Sequence, residues 1–139
     1  MPKNILIDLN VILDVLLERA GHQASQAVLE LGEQGLNRLY ISAHAVTTFA
    51  YLLENAGVTK TQIKRQLNWL LQTFKVVAIN DSLLKSALLS RLADYEDAVV
   101  ERAAVDCAAA AIITRNTKDF KTSLVPALTP ENYLRQIKN

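Results

Sequence analysis

The chain has 139 residues, 50% of them hydrophobic and 21% charged, with a formal net charge of +1. Such totals describe a single domain, residues 1–139, long enough to bury a core; they exclude a low-complexity chain and give no overall basic signature, although a local patch suffices for nucleic acid. The lone Cys107 excludes an internal disulfide, no apolar run approaches the ~20 residues of a membrane span, and MPKNILIDLN has too short an apolar run for a signal peptide, so a cytoplasmic protein is expected.

Ile5-Leu6-Ile7 is a continuous apolar run closed by Asp8, which predicts a strand buried on both faces and hence a parallel sheet. Val11 to Leu17 follows as a helix too apolar for the surface. Gly21 breaks the chain, and Gln23 to Gly35 carries Ala24, Ala27, Val28 and Leu31 at helical spacing. Arg38 to Ile41 predicts a short strand, and Ser42 caps a helix over His44 to Asn55. Thr59 caps the next helix, with Ile63, Leu67, Leu70 and Leu71 on one side. Lys75 to Ile79 reads as a strand, and Asp81 or Ser82 begins a helix through Leu92. Asp94 to Cys107 is an Ala-rich helix, Ala110 to Thr114 a strand, and Leu124 to Ala127 a last strand. Pro130-Glu131 opens a terminal helix. Strands alternating with helices argue for an α/β domain with helices on both sides of a parallel sheet. His22 and His44 stand far apart and read as surface or capping residues. Trp69 and the tyrosines read as core or rim.

Ligand sites of open parallel sheets lie beyond the carboxyl ends of the strands. Asp8 closes the first strand, and Asp119 lies five residues past Thr114. Asp94, Asp97 and Glu101 share one face of a helix by their spacing of three and four. Acids gathered together repel one another unless a cation sits among them, and an all-oxygen set suits Mg²⁺ or Mn²⁺. Thr114 and Asn116 suit orientation of a carboxylate or water. Arg115, Lys118 and Lys121 offer phosphate contacts on the same rim. Each residue alone also fits a plain role: Asp8 and Asp94 as helix caps, Asp97 and Glu101 as a solvated face, Asp119 as a loop cap, Arg115 and Lys118 as solvated charges.

ILIDLNVILDVLLER, DYEDAVVERAA, AIITRNTKDF and VPALTPENYL, in that order, resemble the PIN domain family, close to the VapC-type toxins of toxin–antitoxin pairs. The resemblance spans essentially the whole chain. It implies a three-layer α/β/α sandwich around a parallel sheet of about five strands. It implies a metal-dependent endoribonuclease with Mg²⁺ or Mn²⁺ held by Asp8, Asp97 and Asp119. Asp94 matches the leading acid of the family's Asp-x-x-Asp pair, Asn10 the small polar residue after the first acid, and Thr114 and Asn116 the polar positions of its Thr-Arg-Asn motif. The sequence departs from the family at Thr48, or Thr47 if the register slips by one, where a Glu is usual. Glu54 lies six residues beyond Thr48, about 9 Å of helical rise. Glu101, one turn after Asp97, is the better candidate for a replacement oxygen ligand.

The resemblance also implies an RNA substrate, a homodimer, and a small antitoxin whose tail blocks the acidic site. Val11 to Leu17 and the helices between Ser42 and Leu71 are candidate contact surfaces. The missing Glu motivates a competing reading, a PIN-fold module that binds RNA or protein but cleaves weakly. A phosphotransfer domain fits poorly, because Asp8-Leu9-Asn10 lacks a second acid.

Overall fold

The structure is a computed structural model and describes residues 1–138. Its elements are β1 (Lys3–Ile7), α1 (Leu9–Leu16), α2 (His22–Glu33), β2 (Asn37–Ser42), α3 (Ala43–Asn55), α4 (Lys60–Thr73), β3 (Lys75–Val77), α5 (Asp81–Ala87), α6 (Tyr95–Asp106), β4 (Ala111–Ile113), a 3₁₀ turn (Thr117–Phe120), β5 (Ala127–Leu128) and α7 (Pro130–Lys138). The strands form one sheet in the order β3-β2-β1-β4-β5, and each pairing is parallel. The sheet order reverses between β1 and β4, which makes their carboxyl ends the switch point of the fold.

Alternation along the strands divides the core into two layers. Ile5, Ile7, Leu39, Ile41, Ala111 and Ile113 face α1, α2, α3, α4 and α7. Leu6, Ile112 and Val77 face α5 and α6. This is the expected α/β/α sandwich. Small residues of α6 (Ala98, Ala103 and Ala104) let that helix lie close to the sheet. Gly32 does the same for α2, since a Cβ there would stand 2.6 Å from Leu39 Cδ1.

Several boundaries differ from the sequence reading for identifiable reasons. Asn80 caps α5, its Oδ1 accepting from the Leu83 amide at 2.9 Å. The helix stops at Ala87 rather than Leu92, because the amides of Leu88, Leu89 and Ser90 bond three residues back and tighten the chain into a turn. The last strand begins at Ala127, not Leu124, since the Leu124 amide donates to Glu101 Oε2 at 2.9 Å and cannot join a ladder. The apolar helix α1 buries Val11, Ile12 and Leu13, the deep packing its composition suggested, so most of it is not free to serve as a contact surface.

The expectation of a phosphate contact at Arg115 is corrected. Its Nε donates to Asp14 Oδ2 at 3.0 Å, Nη1 pairs with Glu131, and Nη2 donates to the Gly21 carbonyl at 2.8 Å and Ser25 Oγ at 3.2 Å. Asp14, only 5% exposed, also receives Arg19 Nε at 3.1 Å. One guanidinium therefore ties α1, α2 and α7 to the end of β4, and its planar fork leaves little for a substrate. Gly21 is required here: its φ is +84°, and a Cβ would sit 2.7 Å from Arg115 Nη2. Arg115→Leu takes one of its two cations from Asp14, which keeps Arg19 and Ser25, and the pairing cation from Glu131, and lowers stability by about 1–2 kcal/mol. Arg115→Lys recovers only part of the loss. Urea unfolding of the two variants beside the wild type measures both effects.

Candidate acidic active site

Ile7 pairs with Ile113, which brings the next residues, Asp8 and Thr114, together at the switch point. Thr114 is fully buried and its Oγ1 donates to Asp8 Oδ2 at 2.7 Å. The Asn116 amide donates to the same Thr114 oxygen at 3.1 Å, bracing it, while the Asn116 side chain stands exposed. Burial pushes the Asp8 pKa above its ordinary value and the charge of Glu96 adds to the rise; the Thr114 hydroxyl and the amides of Leu9 and Asn10 oppose it. Asp8 occupies the N-cap position of α1 without making a capping bond. Its carboxylate is turned to Thr114 instead.

The second group of acids comes from the start of α6 and the 3₁₀ turn. Asp94 caps α6, its Oδ1 accepting from the Asp97 amide at 3.0 Å. Asp97 is pushed up to about 6, first by burial and then by the charges of Asp94, Asp119, Asp8 and Glu96. Those influences join the strand-end acid to the helical acids in one negative field. A cleft of about 280 Å³ lies over Asp94, Asp97 and Asp119, with Arg91, Lys118 and Lys121 on its walls. It combines acids that suit a hard cation with bases that suit phosphate.

Not every expected residue joins this site. Glu101 is corrected as a replacement ligand: it is 1% exposed, and its carboxylate accepts from Ser90 Oγ at 2.7 Å, Arg102 Nε at 3.2 Å and the Leu124 amide at 2.9 Å. Those bonds anchor the loops beside α6. Asn10 is exposed on α1, and its carbonyl accepts from Arg19 Nη2 at 2.9 Å. Three residues were given no site role from the sequence, His44 among them, which was read as a surface or capping residue. Arg91 stands on the cleft wall three residues before Asp94. Glu96 bears on both Asp8 and Asp97. His44 shares a small cavity with Asp8, Thr48 and Glu96. Its position two residues past the β2 end was the available signal, by the same strand-end rule that singled out Asp8. Burial lowers its pKa, opposed by the charges of Glu96 and Asp8.

Among the described residues, no three His, Cys, Asp or Glu side chains converge closely enough to enclose a metal ion. The chemistry of the donors nevertheless suits Mg²⁺ or Mn²⁺: they are hard carboxylate oxygens, and the charges of four other acids bear on Asp97.

The model of the PIN domain matches residues 4–118. No curated protein sequence matches the chain. Among solved structures, a toxin–antitoxin complex from Klebsiella pneumoniae is similar, with TM-score 0.69 and 21% identity over 91% of this chain and 97% of that one. VapBC2 from Rickettsia felis, bound to a DNA fragment from their promoter, gives TM-score 0.67 and 16% identity over 91% and 98%. FitAcB from Neisseria gonorrhoeae gives 0.64 and 19% over 91% and 98%. At these identities the likeness shows the fold.

The raised Asp97 pKa has a consequence for stability. Between its ordinary 3.8 and about 6 the folded chain holds a proton that the unfolded chain releases, so this group's destabilising effect grows as pH rises through that window and is complete above it. Asp97→Asn therefore raises the melting temperature at pH 7.5 in EDTA. The gain shrinks through pH 6 and disappears near pH 4. Paired thermal melts across that range measure the difference.

Proposed function

The chain belongs to the PIN domain family, and on that ground we propose that it is a divalent-metal-dependent endoribonuclease, acting in the cytoplasm as the toxin of a toxin–antitoxin pair. The observation that carries the reading is the cleft itself, where Asp97, raised to about 6 first by burial and then by four neighbouring acids, lies among Arg91, Lys118 and Lys121. Asp8, Asp97 and Asp119 would hold Mg²⁺ or Mn²⁺. Such an ion supplies Lewis-acid stabilisation of charge developing on phosphodiester oxygens. Thr114 keeps Asp8 in one orientation through its 2.7 Å bond. Asp8 or Asp97 would help to take the proton of an attacking water. The three basic side chains bind the phosphates flanking the scissile bond. Unpaired RNA suits an open cleft of this kind better than a duplex.

The single domain 1–139 is read as the toxin, with a small protein antitoxin and a second copy of the chain as partners. Leu17, Tyr51, Leu52 and Leu71 are exposed apolar side chains on or beside α1, α3 and α4 and support a protein contact there. Among the described residues, no helix is long and apolar enough to cross a membrane. A second reading, a binding module that cleaves weakly, is favoured by Thr48 in place of the family's acid.

Cleavage of a fluorophore-quencher RNA panel separates the two. The enzyme reading expects cleavage with Mg²⁺ or Mn²⁺, none with EDTA, and losses of about 100-fold or more in Asp8→Asn and Asp97→Asn. Binding of the same RNAs without cleavage above those variants establishes the module instead.

A further inference from the structure

His44 Nδ1 is buried without a hydrogen-bond partner, and among the described residues it is the only buried side-chain nitrogen or oxygen in that state. It lies at a cavity of about 30 Å³ whose polar lining is Asp8, Ser42, His44, Thr48 and Glu96, with Leu6, Ile7, Ala45 and Val100 among its apolar walls. That volume holds one water, and the lining supplies more polar partners than a buried water needs. The two threonines nearby do not serve Nδ1: Thr47 and Thr48 both turn their hydroxyls back to the His44 carbonyl, at 2.9 and 3.0 Å. They fix this turn of α3 and leave the His44 Nδ1 as the polar atom of that helix at the cavity without a partner.

We propose that His44 stands in for the acid absent at position 48, its Nδ1 holding an ordered water against the Asp8 carboxylate and so positioning Asp8 for the divalent cation. The proposal rests on the metal-site reading above. A water in the cavity donates one hydrogen to Asp8 and the other to a neutral imidazole nitrogen. Asp8 is then held from two sides, by Thr114 directly and by His44 through the water. His44 is a positioning residue. It serves the orienting task of an acid without adding negative charge to a cluster that already repels Asp97 from four directions.

Mn²⁺ binding to the full chain, followed by the loss of free-ion electron paramagnetic resonance signal, tests this without reference to cleavage. The variants are Asp8→Asn, His44→Leu, His44→Asn, His44→Gln and His44→Leu with Thr48→Glu, each checked for folding by thermal melting. Removal of a group that orients a metal ligand weakens affinity by about 10- to 100-fold, the loss expected in His44→Leu, with His44→Asn staying within about threefold of wild type. Asn carries its amide where Nδ1 stands; Gln carries it to the far side of the ring, so His44→Gln behaves like His44→Leu. Thr48→Glu restores affinity to the leucine variant. Binding lost in Asp8→Asn but unchanged in His44→Leu, or equal in the Asn and Gln variants, overturns the role of His44 alone. Binding insensitive to both Asp8→Asn and His44→Leu overturns the metal-site reading and the role of His44 with it. If His44→Leu fails to fold, the Asn and Gln pair decides.

Discussion

The constraint behind this structure is that β1 is covered on both faces. Ile5 and Ile7 enter one core layer and Leu6 the other, all at 1% exposure or less. No polar side chain can be accommodated along the buried run Ile5 to Ile7 without a partner, so the next one after it appears where the strand leaves the sheet. The same rule acts on the neighbouring β4, where Ala111 to Ile113 are buried and Thr114 follows. Register then does the rest. Two polar residues emerge side by side between apolar layers, and the short bond from Thr114 to Asp8 is what makes a largely buried carboxylate tolerable there.

The chain after β4 sorts its charges by geometry rather than by order. Arg115 reaches four groups, three on different helices and one at the start of α2, because a guanidinium presents several donors in a plane. Lys118 and Lys121, point charges on flexible stems, stay at the wall of the acidic cleft. Neighbours in sequence thus serve opposite ends: one closes the layer of α1, α2 and α7, and the others border the site. The opposite charges they answer, Asp14 and Glu131 on one side and Asp94, Asp97 and Asp119 on the other, come from separate parts of the chain.

The architecture was legible because its signals are local. Continuous apolar runs mark β1 and β4, and helical spacing marks α2 and α4. Asp8, Thr114, Asp94, Asp97 and Asp119 were legible as a group because strand ends and helix starts are readable positions. What escaped depends on contacts distant in sequence. The Asp14 partner of Arg115 is 101 residues away. The start of β5 is displaced by a bond from Leu124 to Glu101, 23 residues away. His44 stands two residues past the end of β2, but no motif surrounds it to add to that signal.

Glu101 and Asp97 make the underlying distinction concrete. They lie one helical turn apart, and spacing alone makes them equivalent. Glu101 is sealed from water and its carboxylate meets three donors, so its charge is compensated locally. Asp97 is half-buried, and that burial together with the charges of its acidic neighbours raises its pKa, so its charge is left less compensated than that of Glu101. An acid that is fully bonded stabilises loops; an acid that is crowded and open is available for a ligand. A sixth carboxylate at position 48 would join Asp8, Asp94, Glu96, Asp97 and Asp119 and deepen the repulsion. A threonine there, with an imidazole one turn earlier, keeps a polar contact near Asp8 while leaving the total negative charge lower. The substitution therefore changes the electrostatic demand the site makes on a cation, as well as the number of oxygens that meet it.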